Sequence, residues 1–319
     1  MGNCINKSSQ DVCRYTFVRA YAKINLSLSV IGKRPDGYHL ISSRMQAISL
    51  HDDVTVEVSA YAGGPDIEVG AAFAPDAQLG LCELKGGLPQ GRGNIAYGAA
   101  GLALSLWGNG LERVRVSIAK RVPMAAGLAG GSADAAVVML ALARLLSPGM
   151  STELPMIMKA GAKIGADVPF CVFSAARGNP ELGFAEAACP SAICKGIGDE
   201  LTPAVPEVGW VVLVKPAVKV MTPRIYAGWD ELNETGRADA MDTDNDLARV
   251  AIMQHPVIGR VLDEVVEASG ADRVFMTGSG PTIVALYADA GRAESGFATL
   301  RRTYKDRADV GAVLLSKLL

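Results

Sequence analysis

The chain has 319 residues, half of them hydrophobic, with a formal net charge of −2 and only 6% aromatic residues. That length suggests two domains, and neither a basic surface nor a stacking platform is available for nucleic acid. No apolar run reaches the ~18 residues of a membrane span, and six scattered cysteines without a C-x-x-C pair, beside three histidines, argue against a zinc site or disulfide framework and suit a reducing cytoplasm.

Residues 1–14 read as a disordered extension. Met1-Gly2-Asn3-Cys4 looks like the start of a dual acylation signal, but Asn6 stands where myristoylation requires Ser or Thr. No signal-peptide stretch follows. Residues 17–31 alternate as a half-buried strand should, and 32–37 (GKRPDG) form a turn-rich break. Residues 45–50 and 54–58 predict two more strands, separated by the polar His51-Asp52-Asp53. Residues 60–93, rich in Gly, Pro and Ala, show no clear element. Asn94 can cap a helix running to about Leu106. A strand over 114–118, a Gly-rich loop and an apolar helix through 146 come next, and Ser151-Thr152-Glu153 starts a helix ending near Gly165. Residues 174–209 hold four prolines and little periodicity, so the domain boundary is placed there, dividing 15–175 from 176–319. The second half predicts a strand over 210–215, helix chiefly over 245–269, strands over 274–280 and 282–287, a helix over 291–304 and a closing strand over 310–316. That order, β-α-β-β-α-β, is ferredoxin-like.

The most informative stretch is 123–136, PMAAGLAGGSADAA, lying between a strand and a helix. Gly127, Gly130 and Gly131 allow sharp turns and close approach of backbone to a ligand. A helix starting near Ser132 aims unpaired N–H groups and its positive dipole end into the loop. Together these suit a phosphate chain. The pattern is neither a Walker A loop nor G-x-G-x-x-G; a helix start capped by Ser132 with tight Gly packing would also fit.

Other residues carry two readings each. Lys23, within the apolar AYAKINL, shares a strand face with Asn25; it either meets an acid or phosphate or snorkels from a sheet edge. Asp167, before the strand-like run VPFCVF, is paired at a site or caps a turn. A Lys–Asp pair beside a phosphate suits transfer to an alcohol, with the carboxylate taking or orienting the hydroxyl proton. Tyr38-His39 offers a ring to stack on a base and a polar atom to bond its edge, or is simply surface. TGSGPT over 277–282 is a second Gly-rich hairpin or an ordinary turn. Asp134 and Glu153 are metal ligands or, as helix-start acids, partners of the dipole.

Four segments together resemble the GHMP kinase superfamily: AKINL (22–26) with RPDGYH (34–39), residues 123–136, GADVP (165–169) and TGSGP (277–281); GIGDELT (196–202) and DNDL (244–247) also fit. The resemblance spans residues 15–319, and DGYH with GADVP is most similar to the branch that phosphorylates a cytidine-diphosphate-linked methylerythritol for isoprenoid synthesis. It implies an α+β, two-domain fold with an N-terminal ribosomal-S5-like ATP-binding domain and a C-terminal ferredoxin-like domain. It also implies Asp167 as catalytic base with Lys23 beside it. ATP would lie on Asn94, Pro123, Met124, Ala125, Ala126, Gly127, Leu128, Ala129, Gly130, Gly131 and Ser132. The cytidyl substrate would meet Asn25, Tyr38, His39 and Tyr226. Mg²⁺ would accompany ATP, with Ser132 as its candidate contact and no definite metal ligand otherwise. No nucleic-acid or membrane partner is implied, and the chain would act as a monomer or weak homodimer. Residues 177–195, with Cys189 and Cys194, exceed the family's usual length. Another kinase of the superfamily, acting on homoserine or mevalonate, or a non-catalytic nucleotide-binding protein of the same fold, are the alternatives; Tyr38-His39 speaks against the first and the intact Lys23 and Asp167 against the second.

Overall fold

The computed structural model describes residues 2–5, 12–147, 153–234 and 244–319. Two strands of 22 residues form the spine of the first sheet: β2 (Val12–Lys33) and β3 (His39–Ala60), antiparallel to each other. β1 (Gly2–Ile5) pairs with the start of β2, so these residues are strand and not a disordered extension. Met1 and Asn6 of the acylation-like segment lie outside the described residues. On the other side of β3 come β5 (Glu112–Lys120) and, parallel to it, β4 (Asp66–Phe73), which falls in the stretch without a sequence signal.

β3 runs unbroken through His51-Asp52-Asp53, where two strands were expected. Asp52 is fully buried, but its carboxylate pairs with Lys120 and accepts the Val122 N–H at 2.9 Å, so a charge inside the strand has partners and no turn is needed. β6 (Ser191–Lys195) pairs with β3 and β7 (Glu200–Pro203) with β6. Residues 191–203, expected in the second unit, therefore extend the first sheet.

Helices cover one face of that sheet: α2 (Ile95–Trp107), α3 (Gly130–Leu146), α4 (Leu154–Gly161) and α5 (Val168–Gly178), with a short α1 (Leu81–Leu84) preceding them. Asn94 caps α2 as expected, its side chain accepting the Ala96 N–H at 3.0 Å. α4 is shorter than the expected 151–165, and Ser151 and Thr152 lie outside the described residues. The run after Asp167 is helical rather than extended. All of residues 168–176 are buried, which removes the amphipathic pattern that separates a helix from a strand.

The second sheet has the order β11-β8-β10-β9, all antiparallel: β8 (Trp210–Pro216), β9 (Arg273–Met276), β10 (Ile283–Tyr287) and β11 (Val310–Lys317). Helices α6 (Thr222–Glu234), α7 (Ala248–Gln254), α8 (Pro256–Ser269) and α9 (Ala290–Thr303) complete the ferredoxin-like order. The expected single helix over 245–269 is two, because Pro256 cannot continue α7 and instead opens α8.

The two sheets meet through an apolar layer in which Ile24, Leu26 and Ile48 face Val211, Leu213, Phe275 and Val284. Before Tyr21, the even-numbered β2 residues Val18 and Ala20 join the core under the helices. After the register shift between Tyr21 and Lys23, the even residues Ala22, Ile24 and Leu26 join the layer between sheets. Such irregularities re-aim side chains; here the odd residues Lys23 and Asn25 turn toward the N-terminal end of α5.

Candidate active site

One cavity of about 820 Å³ is lined from both sheets: by Lys23, Asn25 and His39 of the first, by the loop between β5 and α3, by Asp167 before α5, by Tyr226 of α6 and by Gly278–Gly280 after β9. Of the residues expected to hold ATP, all from Pro123 to Ser132 except Leu128 line it. Leu128 is buried in the layer between sheets. Asn94 is absent from the wall; its amide oxygen caps α2 and its amide nitrogen donates to the Pro89 carbonyl at 3.1 Å.

The loop's turns fall at other residues than the glycine pattern suggests. Ala125 (φ 47°), Gly127 (φ 75°) and Ala129 (φ 55°) are left-handed, whereas Gly130 and Gly131 form the first turn of α3. Gly127 must be glycine on two counts. Its φ suits no L side chain well, and a Cβ there would meet the carbonyls of Thr277 at 2.8 Å and Gly280 at 2.9 Å. Gly130 also leaves room for Val122, whose Cγ1 would lie 2.9 Å from a Cβ. The start of α3 has no side-chain cap, from Ser132 or any other residue. Its first N–H groups and the dipole end thus face a cavity wall, an arrangement that receives an anion. The hairpin against Gly127 is itself fixed: Asn245, of the DNDL segment, donates to the carbonyls of Met276 (2.7 Å) and Gly278 (2.8 Å), and the Thr277 hydroxyl accepts the Asn25 N–H at 2.7 Å.

Lys23 does not snorkel. Its ammonium is buried, donates to Asn25 Oδ1 at 2.7 Å and lies 3.7 Å from Asp167 Oδ2. Asn25 in turn donates to the Ser43 hydroxyl at 2.7 Å, which orients its oxygen toward the lysine. The Asp167 side chain remains 35% exposed, makes no helix cap and lines the cavity, leaving a carboxylate oxygen open to a ligand beside a fixed positive charge. Two thiols nearby are unsuited to chemistry. Burial, reinforced by Asp167, holds Cys171 well above its usual range and pushes Cys194 up to about 12.

His39, Tyr38 and Tyr226 also come together at the cavity. Tyr38 is 59% exposed at the rim. Tyr226 stacks on the His39 ring (4.7 Å between centroids, 27°), and burial with Asp167 pushes its phenol up to about 12. The sequence reading missed two residues here: Trp229, edge-on to His39 at 6.0 Å, and Asp230, 2.7 Å from His39 Nε2 and 2.6 Å from Lys33 Nζ. Tyr226, Trp229 and Asp230 stand at i, i+3 and i+4, one face of α6. That spacing was the available signal.

A second missed group lies beneath the loop. Lys120 donates to Asp134 at 2.6 Å and to Asp52, all three buried. One ammonium cannot balance two carboxylates, and Asp134 Oδ1 has no hydrogen-bond partner. Burial therefore raises the Asp134 acid, against the opposing pull of Lys120, to about 8. Asp134 is thus engaged with Lys120, and Glu153 stands outside the cavity at the start of α4. Among the described residues no three His, Cys, Asp or Glu side chains gather to hold a metal ion. Residues 177–195 contribute nothing to the cavity wall, and among the described residues no helix is long and apolar enough to cross a membrane.

Residues 94–175 match the model of the GHMP kinases N terminal domain, and residues 230–306 that of the GHMP kinases C terminal. The chain is similar to the 4-diphosphocytidyl-2-C-methyl-D-erythritol kinase of Pelobacter propionicus, 34% identical over 299 residues covering 89% of this chain and 93% of that protein. It is 37% identical over 288 residues to the kinase of the same name from Geobacter metallireducens, covering 85% and 89%. Its fold is similar to the crystal structure of a 4-(cytidine 5'-diphospho)-2C-methyl-D-erythritol kinase, with a TM-score of 0.66 at 27% identity, covering 95% of this chain and 99% of that one. At 14% identity, homoserine kinase from Cytophaga hutchinsonii shares the fold alone (TM-score 0.60, 99% and 97% covered). With both domain models matched on either side of a cavity that joins a Gly-rich helix start to a Lys–Asp pair, the chain belongs to the GHMP kinase family.

Proposed function

We propose that this protein uses ATP to phosphorylate the 2-hydroxyl of 4-diphosphocytidyl-2-C-methyl-D-erythritol, giving the 2-phosphate and ADP. The observation that carries this reading is the convergence in one cavity of the open Asp167 carboxylate, the uncapped start of α3 and the aromatic group around His39. The substrate has the matching parts: an alcohol, phosphates and a cytosine ring.

In this reading ATP lies along the loop from Pro123 to Ser132, its phosphates on the first N–H groups of α3. Asp167 accepts the proton of the 2-hydroxyl, the oxygen attacks the γ-phosphorus, and ADP leaves. Lys23 keeps the carboxylate in place and adds positive charge near the transferred phosphoryl. Asn25 holds Lys23 through the 2.7 Å hydrogen bond. Mg²⁺ belongs to the same proposal. Asp167 and Ser132, both on the wall at helix starts, would hold it, and among the described residues no three His, Cys, Asp or Glu side chains gather into a protein cage, which fits a cation that would be bound chiefly together with the nucleotide. When bound it would offset the phosphate charge.

The test is turnover of purified protein with ATP and Mg²⁺ against three alcohols: the cytidyl substrate, homoserine and mevalonate. The cytidyl substrate alone should be phosphorylated, and Asp167→Asn should lower kcat at least ~10²-fold with ATP affinity little changed, because an amide cannot take the proton. Turnover of homoserine or mevalonate without the cytidyl compound would overturn the substrate; near-normal kcat in the variant would remove Asp167 from the mechanism.

A further inference from the structure

Asp230 accepts from both His39 and Lys33, and this arrangement has a chemical consequence. A carboxylate can only accept hydrogen bonds, and the hydrogen bonds from Lys33 and His39 outweigh its partial burial to hold the Asp230 acid below the ordinary carboxylate range. The ring nitrogen facing it at 2.7 Å, Nε2, therefore carries the proton. Lys33, 2.6 Å from the other oxygen, is the carboxylate's second donor and already balances its charge. The placement is built into the fold. Lys33 and His39 are directly paired across the β2–β3 hairpin, and Asp230 reaches them from α6 on the face that also brings Tyr226 flat against the imidazole.

We infer that Asp230 is a positioning residue that fixes the tautomer of His39 and so sets which base the cavity takes; this rests on the functional reading given above. With Nε2–H committed to Asp230, Nδ1 is left as a lone-pair acceptor, and among the described residues it has no hydrogen-bond partner. An acceptor takes the proton of an exocyclic amino group, which cytosine has. Uracil places a carbonyl oxygen at the same position, so two acceptors would face each other without a proton between them. The choice of cytosine over uracil is thus set by Asp230 through the tautomer of His39. Asp230→Asn would relax it, because the new amide can donate to Nε2. The ring proton then moves to Nδ1, which becomes a donor suited to a carbonyl.

The experiment is calorimetric titration of the full chain with CDP and with UDP, in the wild type, Asp230→Asn and Asp230→Glu, with ATP binding measured on each as a control for folding. The wild type should bind CDP at least ~10-fold more tightly than UDP, since a wrong polar edge leaves buried groups unpaired. Asp230→Asn should reduce that ratio at least ~10-fold, partly through tighter UDP binding, while ATP affinity holds. Asp230→Glu, which still accepts, should keep the preference for CDP. An Asp230→Asn protein that binds ATP normally and keeps the wild-type ratio, or weakens for both nucleotides equally, overturns the inference and leaves the functional reading standing. A wild type that ignores both CDP and UDP overturns that reading, and the inference with it.

Discussion

Replacing Lys23 with Met keeps the aliphatic stem in its buried strand position and deletes one charge 3.7 Å from Asp167. At that separation the attraction is worth about 4.5 kcal/mol with an effective dielectric of about 20, and about 1 kcal/mol in bulk water. The Asp167 side chain is about one-third exposed, so the effect lies between these limits, near 2 kcal/mol. Since 1.4 kcal/mol is a factor of ten, kcat/KM should fall roughly 10- to 100-fold through this term alone. The sign is fixed by the chemistry. In the proposed mechanism the Lys23 ammonium attracts both the Asp167 carboxylate and the transferred phosphoryl group. Losing the ammonium should therefore lower kcat/KM. Measuring kcat/KM with ATP saturating, beside thermal unfolding of the same protein, separates the outcomes. A variant that unfolds at a lower temperature but keeps its kcat/KM would refute the electrostatic link and leave Lys23 a structural residue. Unchanged activity would remove Lys23 from the chemistry.

Two further perturbations test the loop and its support. Gly127→Ala forces a side chain onto a left-handed residue and against two carbonyl oxygens under 3.0 Å away, so unfolding temperature and ATP affinity should both drop, the former by several degrees for about 2 kcal/mol or more; unaltered values in both would mean the loop and hairpin part easily. Asp134 binds its proton more tightly folded than unfolded, so the stability from that proton is full below the ordinary carboxylate range and is lost as pH rises toward about 8. Asp134→Asn cannot ionise, and its unfolding temperature relative to wild type should improve steadily from pH 5 to pH 8.5. A difference independent of pH would mean that Asp134 is not the group holding the proton.

The strands and helices with clean periodicity were legible: β2, α2, the strands of the second sheet and α9 lie within a few residues of their sequence expectations. Elements whose pattern is erased by their surroundings were not. α5 is buried on every side and so reads as a strand, and β3 hides a charged pair that reads as a break. β4 borrows its register from β5. At the site, Lys23 and Asp167 were legible because a charge next to an apolar run needs a partner. The roles of individual glycines were not, since a glycine in sequence does not say whether it supplies a left-handed φ, as Gly127 does, or makes room for a neighbour, as Gly130 does for Val122. Asp230 and Lys120 were missed because their meaning lies in partners 191 and 68 residues away.

The cavity wall joins Lys23 near one end of the chain to Gly280 near the other. On the ribosome, the first sheet can be complete once residues 191–203 have emerged to form β6 and β7, and it would already carry Lys23, the loop and Asp167. Yet the surface bearing Ile24, Leu26 and Leu128 would then be exposed to water, because the strands that cover it, β8 to β11, are made last. A chain folded to that stage would hold Lys23, the loop and Asp167 in place while this apolar face is still bare. Over that interval anything apolar nearby would compete with the protein's own C-terminal half for the same surface.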